Sequence, residues 1–238
     1  MGEKLHFQVK GMPLIKFQDA DKIKSLQAGK IYAKTLGYYR KREEETGDCE
    51  VGDKYEAMIH VHEAIIHFPD TGEVIHLNDD LLKTSNSNDY VFCMFGIYPS
   101  IENFNFTDKQ KEKMLSFGNS ALIILDSDEF VRRVIIKAEK EGYKVHFRPV
   151  QYYDPSIDSG NMLISLLSGM WNIAFWKRDS YVYQQEVRFV FTPGNEAVDH
   201  IELDIGDISD ITEIIPAKVA LSAIVKKKVS VETECENE

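Results

Sequence analysis

At 238 residues, with 43 % hydrophobic and 28 % charged residues, the chain is long enough to bury a sizeable core and has the composition of a soluble globular protein. A formal net charge of −11 opposes general binding to nucleic acid, whose affinity comes largely from neutralising phosphates. Three widely spaced cysteines (Cys49, Cys93, Cys235) form neither a metal pair nor an even disulfide framework, and no apolar leader opens the chain; both point to a reducing cytoplasm.

In chain order, residues 1–12 read as a lead-in and Pro13–Phe17 as a first strand. Asp19 is placed to cap a short helix that Gly29 would stop in the left-handed conformation. Lys30–Leu36 alternates as a second strand, with Ile31, Ala33 and Thr35 opposite Tyr32 and Lys34, and one or two helical turns follow from Gly37. Thr46–Glu56, rich in Gly and Asp, predicts a turn-rich loop. Met58–Phe68 and Glu73–Leu77 flank Asp70-Thr-Gly72 as a hairpin, and residues 78–89 read as a polar loop. Tyr90–Tyr98 is apolar without alternation, the pattern of a buried central strand.

Thr107 is placed to cap a helix stopped at Gly118, and Ala121–Leu125 is a second buried strand. Ser127 would cap a further helix with Phe130, Val131, Val134, Ile135 and Ala138 on one stripe and Gly142 at its end. Tyr143–Tyr153 is a strand in which Pro149 argues for an edge or a bulge. Asn161–Trp176 is apolar but shorter than the ~20 residues a membrane span needs, so it reads as a buried helix or a lid. From Tyr183 a strand is expected, then further strands at His200–Ile205 and Ile224–Val231, with a helical turn over Ala217–Leu221. The whole predicts an α+β fold over residues 1–231, a mixed and mostly antiparallel sheet with flanking helices, ahead of an acidic tail, 232–238, that lacks the apolar residues to fold.

The stretch richest in chemistry is 175–191. Period-two alternation sets Gln184, Glu186 and Arg188 on one side of a strand, about 7 Å apart in turn, and Val187, Phe189 and Phe191 on the core side. Facing a cleft, that polar row is a site; facing water or neighbouring strands, it is a set of cross-strand ion pairs. Asp53 and Glu56 could hold Lys177 or Arg188, or only cap their loop. His60 and His62 share one strand face but find no third ligand at a diagnostic spacing, so no metal is expected. Tyr152-Tyr153-Asp154-Pro155 reads as a turn packed on the core, and Trp171 and Trp176 as core residues. No P-loop, no GxGxxG and no Gly-x-Ser-x-Gly occurs.

Four stretches carry a resemblance: Leu26-Gln-Ala-Gly-Lys-Ile-Tyr32, Gly52-Asp53-Lys54-Tyr55-Glu56, Val91-Phe-Cys-Met94, and the row Lys177, Tyr181, Gln184, Glu186, Arg188. Over roughly residues 14–220 the chain is similar to a widespread family of uncharacterised bacterial and phage proteins found near mobile elements and defence genes. It departs from that family's pattern at Gln184, where a carboxylate is preferred, and at Ala57, where glycine is common. The Gln-x-Glu pair also resembles the signature of ADP-ribosyltransferases. That resemblance implies NAD as substrate, Glu186 as the carboxylate that stabilises positive charge at the ribose, and Gln184 as the acceptor-side residue. Arg40 would hold a phosphate, and Tyr32, Tyr38 or Tyr39 and Tyr181 would line the ligand with Lys177, Arg188, Asp53 and Glu56. The expected function is a nucleotide-like ligand cleft, catalytic or not. In its non-catalytic form the same row recognises a ligand or a protein partner in a defence system.

Overall fold

The computed structural model describes residues 8–83, 88–98, 103–157, 160–167, 169–194 and 198–226. Its strands are β1 Leu14–Gln18, β2 Lys30–Thr35, β3 Met58–Phe68, β4 Glu73–Lys83, β5 Tyr90–Gly96, β6 Asn103–Asn105 and β7 Ser120–Ile124. They continue with β8 Lys144–Pro149, β9 Gln151–Tyr153, β10 Trp176–Arg178, β11 Glu186–Thr192, β12 His200–Asp204, β13 Thr212–Pro216 and β14 Ile224–Lys226. The helices are α1 Ala20–Gln27, α2 Leu36–Thr46, α3 Asp108–Met114, α4 Ser127–Lys140, α5 Gly160–Leu167 and α6 Ala217–Leu221. The architecture is α+β, as the sequence predicts. None of the described helices is long and apolar enough to cross a membrane.

The main sheet is antiparallel and grows around β5. On one side β5 pairs with β11 along its whole length, and β11 pairs in turn with β8. The other side of β5 is shared: Leu14 and Ile15 of β1 pair with Gly96 and Phe95, and Lys34 and Thr35 of β2 pair with Val91 and Tyr90. β1 and β2 therefore splay apart opposite Cys93, and Lys16 fills the fork by donating to the Cys93 carbonyl at 2.6 Å. Beyond the fork β1 leads to β7 and β13, and β2 leads to β12.

One face of this sheet is largely apolar, with Lys16 Nζ over the Phe92 ring as its partly buried cation. Val187, Phe189 and Phe191 of β11 join Phe92 and Met94 of β5 beneath α1 and α4, whose Ile23, Leu26, Phe130, Val134 and Ala138 are buried. The stripe read from the α4 sequence is that contact. The cap moves by one residue from the sequence expectation: Asp126, not Ser127, precedes the helix, and its Oδ1 accepts from Glu129 N at 3.0 Å. Ser127 donates its hydroxyl to the Lys10 carbonyl instead. Thr107 caps α3 in a reciprocal box with Gln110. Gly29 ends α1 at φ +90°, and a Cβ there would lie 2.1 Å from the Gly206 carbonyl oxygen.

The opposite face carries two separate apolar clusters. One gathers Ile15, Phe17, Phe95, Phe104 and Phe106 beside α3 and α6; the other gathers Leu36, Val91, Val190, Ile173 and Phe175. Between them on the same face lie Glu186 and Arg188, opposite Phe95 and Cys93 in register.

Several elements differ from the sequence reading. α2 runs for 11 residues from a Thr35 cap rather than one or two turns. β4 extends through Lys83 into the stretch read as loop, so β3 and β4 form a ribbon of 11 residues per strand. The expected single strand over 143–153 is two, because Val150 turns inward and donates to Glu186 O at 2.8 Å. The lead-in before residue 8, residues 84–87 and the chain beyond 226 lie outside the described residues.

Ala57 sits at φ +53° and is only 2 % exposed. A β-branched residue is strongly disfavoured in the left-handed region. Ala57→Val is expected to lower the unfolding free energy by about 2 kcal/mol or more in urea melts, while Ala57→Gly stays within about 1 kcal/mol of the parent.

Asp89, just before β5, is buried, and its Oδ2 has no hydrogen-bond partner among the described residues. Burial lifts its carboxyl from 3.8 to about 6. The folded state thus binds this proton more tightly than the unfolded chain. The resulting stabilisation is complete below about pH 4 and is lost as pH rises through about 6. Asp89→Asn should therefore shrink the drop in melting temperature between about pH 5 and pH 8; an unchanged drop would exclude Asp89 as its source.

Candidate functional site

The expected polar row exists, but the backbone makes it differently. The segment 176–186 is a short strand β10, a 3-10 turn over Asp179–Gln184, and Gln185 at φ +38°, so β11 begins only at Glu186. Gln184 is therefore outside the strand. In a 3-10 turn residues three apart eclipse, and Tyr181 and Gln184 share a side. Both meet Lys177: its Nζ donates to Gln184 Oε1 at 2.7 Å and lies 4.4 Å from the centre of the Tyr181 ring.

Lys177 Nζ also donates to Glu186 Oε2 at 3.2 Å, where Arg188 Nη2 donates at 3.1 Å. Arg188 turns its fork onto Glu56, with Nη1 to Oε1 at 2.7 Å and Nη2 to Oε2 at 2.9 Å. Nη1 further donates to the Ala174 carbonyl. Arg40 Nη1 donates to the Glu56 backbone oxygen at 2.8 Å. Arg188, Glu56 and Lys177 are 1 %, 3 % and 5 % exposed, and Glu186 is 7 %, so this is an interior network rather than a surface one.

The Gly-Asp loop is built to deliver Glu56. Gly52 packs against α2 so closely that a Cβ would lie 2.7 Å from both Asp48 O and Glu43 N. Asp53 N donates to Tyr39 O at 3.2 Å, and Glu43 Oε2 accepts from Lys54 N at 2.7 Å. Asp53 Oδ1 accepts from Arg178 Nη2 at 2.9 Å, and the Arg178 guanidinium lies over the Tyr55 ring at 4.4 Å. Tyr181 donates its hydroxyl to Gly52 O at 3.3 Å, and Gln184 Nε2 donates to Glu50 O at 3.0 Å.

Burial works against every charge here, and the neighbours decide the outcome. At Glu186 burial favours the protonated form, but Arg188, Lys177 and a hydrogen bond from the Cys93 thiol outweigh it and hold the carboxyl well below the usual range. Burial would lower Arg188, but Glu186 and Glu56 hold it firmly protonated. At Glu56 burial prevails over Arg188 and Lys177, and its carboxyl is raised. On acidification Glu56 is thus the first of the two to take a proton. Burial and the adjacent Glu186 push the Cys93 thiol up to about 12, so it stays a neutral donor.

Of the residues singled out in the sequence, Glu186, Gln184, Lys177, Arg188, Tyr181, Arg40 and Glu56 converge, and Asp53 joins through Arg178. Tyr32 does not: its half-exposed ring stacks on His200 at 4.8 Å on the outer strands. Tyr39 packs against the apolar cluster beside α2, and Tyr38 lies edge-on to it. His62 Nε2 meets Pro155 O at 2.8 Å, the side chain of His60 lies outside the described residues, and no metal-binding group of three ligands occurs among the described residues.

Arg178 and Cys93 were missed by sequence reasoning. Arg178 was visible as the second cation of a Lys-Arg pair; Cys93 depends on register, which no local pattern encodes. Also missed was a cavity of about 330 Å³ lined by Gln151, Tyr152, Tyr153, Asp154, Ile157, Asn161 and Trp176. It backs onto the network, since Tyr152 OH accepts from Glu186 N at 2.9 Å, and Lys177 pairs with Tyr152 in the β9–β10 ladder. Comparison with protein-family models, with curated proteins and with solved structures finds no match.

Removing one member of a buried ion pair costs about 3–5 kcal/mol because it strands the other charge. Arg188→Met is expected to cost about that much in urea denaturation, and adding Glu56→Leu to it should recover part of the loss. Strict additivity of the two single changes would show that the pair does not couple.

Proposed function

We propose that this protein binds a nucleotide-like ligand in the Tyr152–Trp176 cavity, with the Glu186–Arg188 network as the rigid rear wall of that cleft. The observation that carries the reading is the cavity itself: about 330 Å³, walled by Tyr152, Tyr153 and Trp176, with Gln151, Asp154 and Asn161 as polar groups. Aromatic walls with a few fixed donors and acceptors suit a planar heterocycle such as a nucleobase or nicotinamide. Among the described residues no cation lines the cavity, so ring recognition dominates over phosphate capture.

The catalytic form of this reading is an NAD-using transferase or glycohydrolase acting through Glu186. One observation favours it: Glu186 stays ionised, as a carboxylate that stabilises an oxocarbenium-like centre must. Against it, Lys177 and Arg188 both occupy Glu186 Oε2, and Glu186 is 7 % exposed. Binding without turnover is therefore the form the geometry favours. A cytoplasmic defence or phage-conflict role rests on the family resemblance alone and belongs to the same proposal; in the alternative, non-catalytic form the polar row recognises a ligand or a protein partner.

Calorimetric titration with NAD and with single nucleotides tests this. Asn161→Ala, an exposed position, should weaken binding about fivefold to tenfold by removing one hydrogen bond. Tyr153→Leu should weaken it further through lost ring contact, and no nicotinamide should be released. Nicotinamide release abolished by Glu186→Gln would establish the enzyme instead; binding indifferent to both cavity variants would remove the cleft from consideration.

A further inference from the structure

Among the described residues, β8 is an edge strand whose outer side carries open backbone groups. It pairs with β11 on one side and with no other described strand. Val150 N donates to Glu186 O, directly opposite it in register, so the inward positions alternate as Arg148, His146 and Lys144. The N–H and C=O of Val145 and Phe147 therefore point away from the sheet. Pro149 falls in the same outward set, where its missing N–H removes no ladder bond.

The side chains of β8 divide by face. Val145 and Phe147 pack onto the apolar face, where the Phe147 ring lies 4.4 Å from Phe189. Phe147 also walls a second cavity, about 280 Å³, completed by Met12, Leu14, Val131, Ser127 and Asp128. On the other face stand Lys144, His146 and Arg148; Lys144 and Arg148 are exposed, and Arg148 Nη1 also donates to Asn172 Oδ1 at 3.3 Å. In a chain of net charge −11 this is a local reversal of sign. The two cations and the proline also hinder edge-to-edge pairing with a second copy of the chain, which would set like charges together. The occupant must bring the opposite sign.

We propose that β8 is a docking edge for an extended peptide segment of a partner protein in which acidic and apolar residues alternate. Such a segment adds a strand to the sheet through the Val145 and Phe147 backbone groups. Its apolar side chains lie beside Phe147 and the mouth of the second cavity, and its carboxylates lie beside Lys144 and Arg148. Docking here leaves the Tyr152–Trp176 cavity untouched, so this surface stands or falls independently of the proposed ligand site.

The test is a titration of the isotope-labelled full chain with a short synthetic peptide alternating glutamate and valine, followed by amide shifts and amide hydrogen exchange. Binding should move the Val145 and Phe147 amides most and slow their exchange. The double variant Lys144→Glu/Arg148→Glu should weaken binding about tenfold or more. Val145→Pro, which deletes one outward N–H, should abolish it while a thermal melt reports that the fold persists. Equal binding of a lysine–valine peptide, protection of the β12 or β13 edge instead, or no binding at millimolar peptide would each overturn the proposal.

Discussion

The bidentate contact between Arg188 and Glu56 is what the rest of this molecule leans on. Arg188 is fixed by β11 in the main sheet; Glu56 comes from a loop 132 residues earlier in the chain. Closing that distance locates α2, the Gly-Asp turn and the root of the β3–β4 ribbon in one step. It also gives Lys177 and Gln184 a fixed charge to converge on through Glu186. A charge group this deep is costly to bury, and replacing it by well-packed apolar residues is often neutral or stabilising. What the group does in this structure is tie loop, turn and strand together, through paired contacts among two carboxylates and two cations.

The two faces of the sheet divide labour accordingly. One face is a continuous apolar core under α1 and α4, whose contacts are interchangeable among residues of similar shape. The other is split into two apolar clusters with the ion network between them. That seam is where β9, β10 and the 3-10 turn meet the sheet, and where the Tyr152–Trp176 cavity lies against the back of Glu186. The network on that side is well paired but not complete: Arg188 Nε is buried without a hydrogen-bond partner among the described residues.

Much of this was legible in the residues. The unbroken apolar run of β5, the stripe on α4, the Thr107 cap and the edge-or-bulge reading of Pro149 each follow from a local physical rule. The convergence of Glu186, Arg188, Lys177 and Glu56 was legible as residue types and spacing, though not as distances. What escaped was non-local or degenerate. The alternation from Tyr183 onward reads as strand, yet a 3-10 turn with eclipsed Tyr181 and Gln184 brings the same side chains to one side, and only the left-handed Gln185 separates the two. The aromatic cavity draws on β9, α5 and β10, none of which signals a cleft alone. Cys93 enters the site only because register sets it opposite Arg188.

The forked pairing of β5 has a bearing on how the chain is made. β5 takes β1 and β2 on one side, both synthesised before it, but its other side waits for β11. A nascent chain halted before Glu186 leaves the central strand half-covered, with Phe92 and Met94 lacking Phe189 and Val187 beside them. The sheet therefore closes only once β11 has been made, whereas the fork that Lys16 fills is built entirely from strands that precede it.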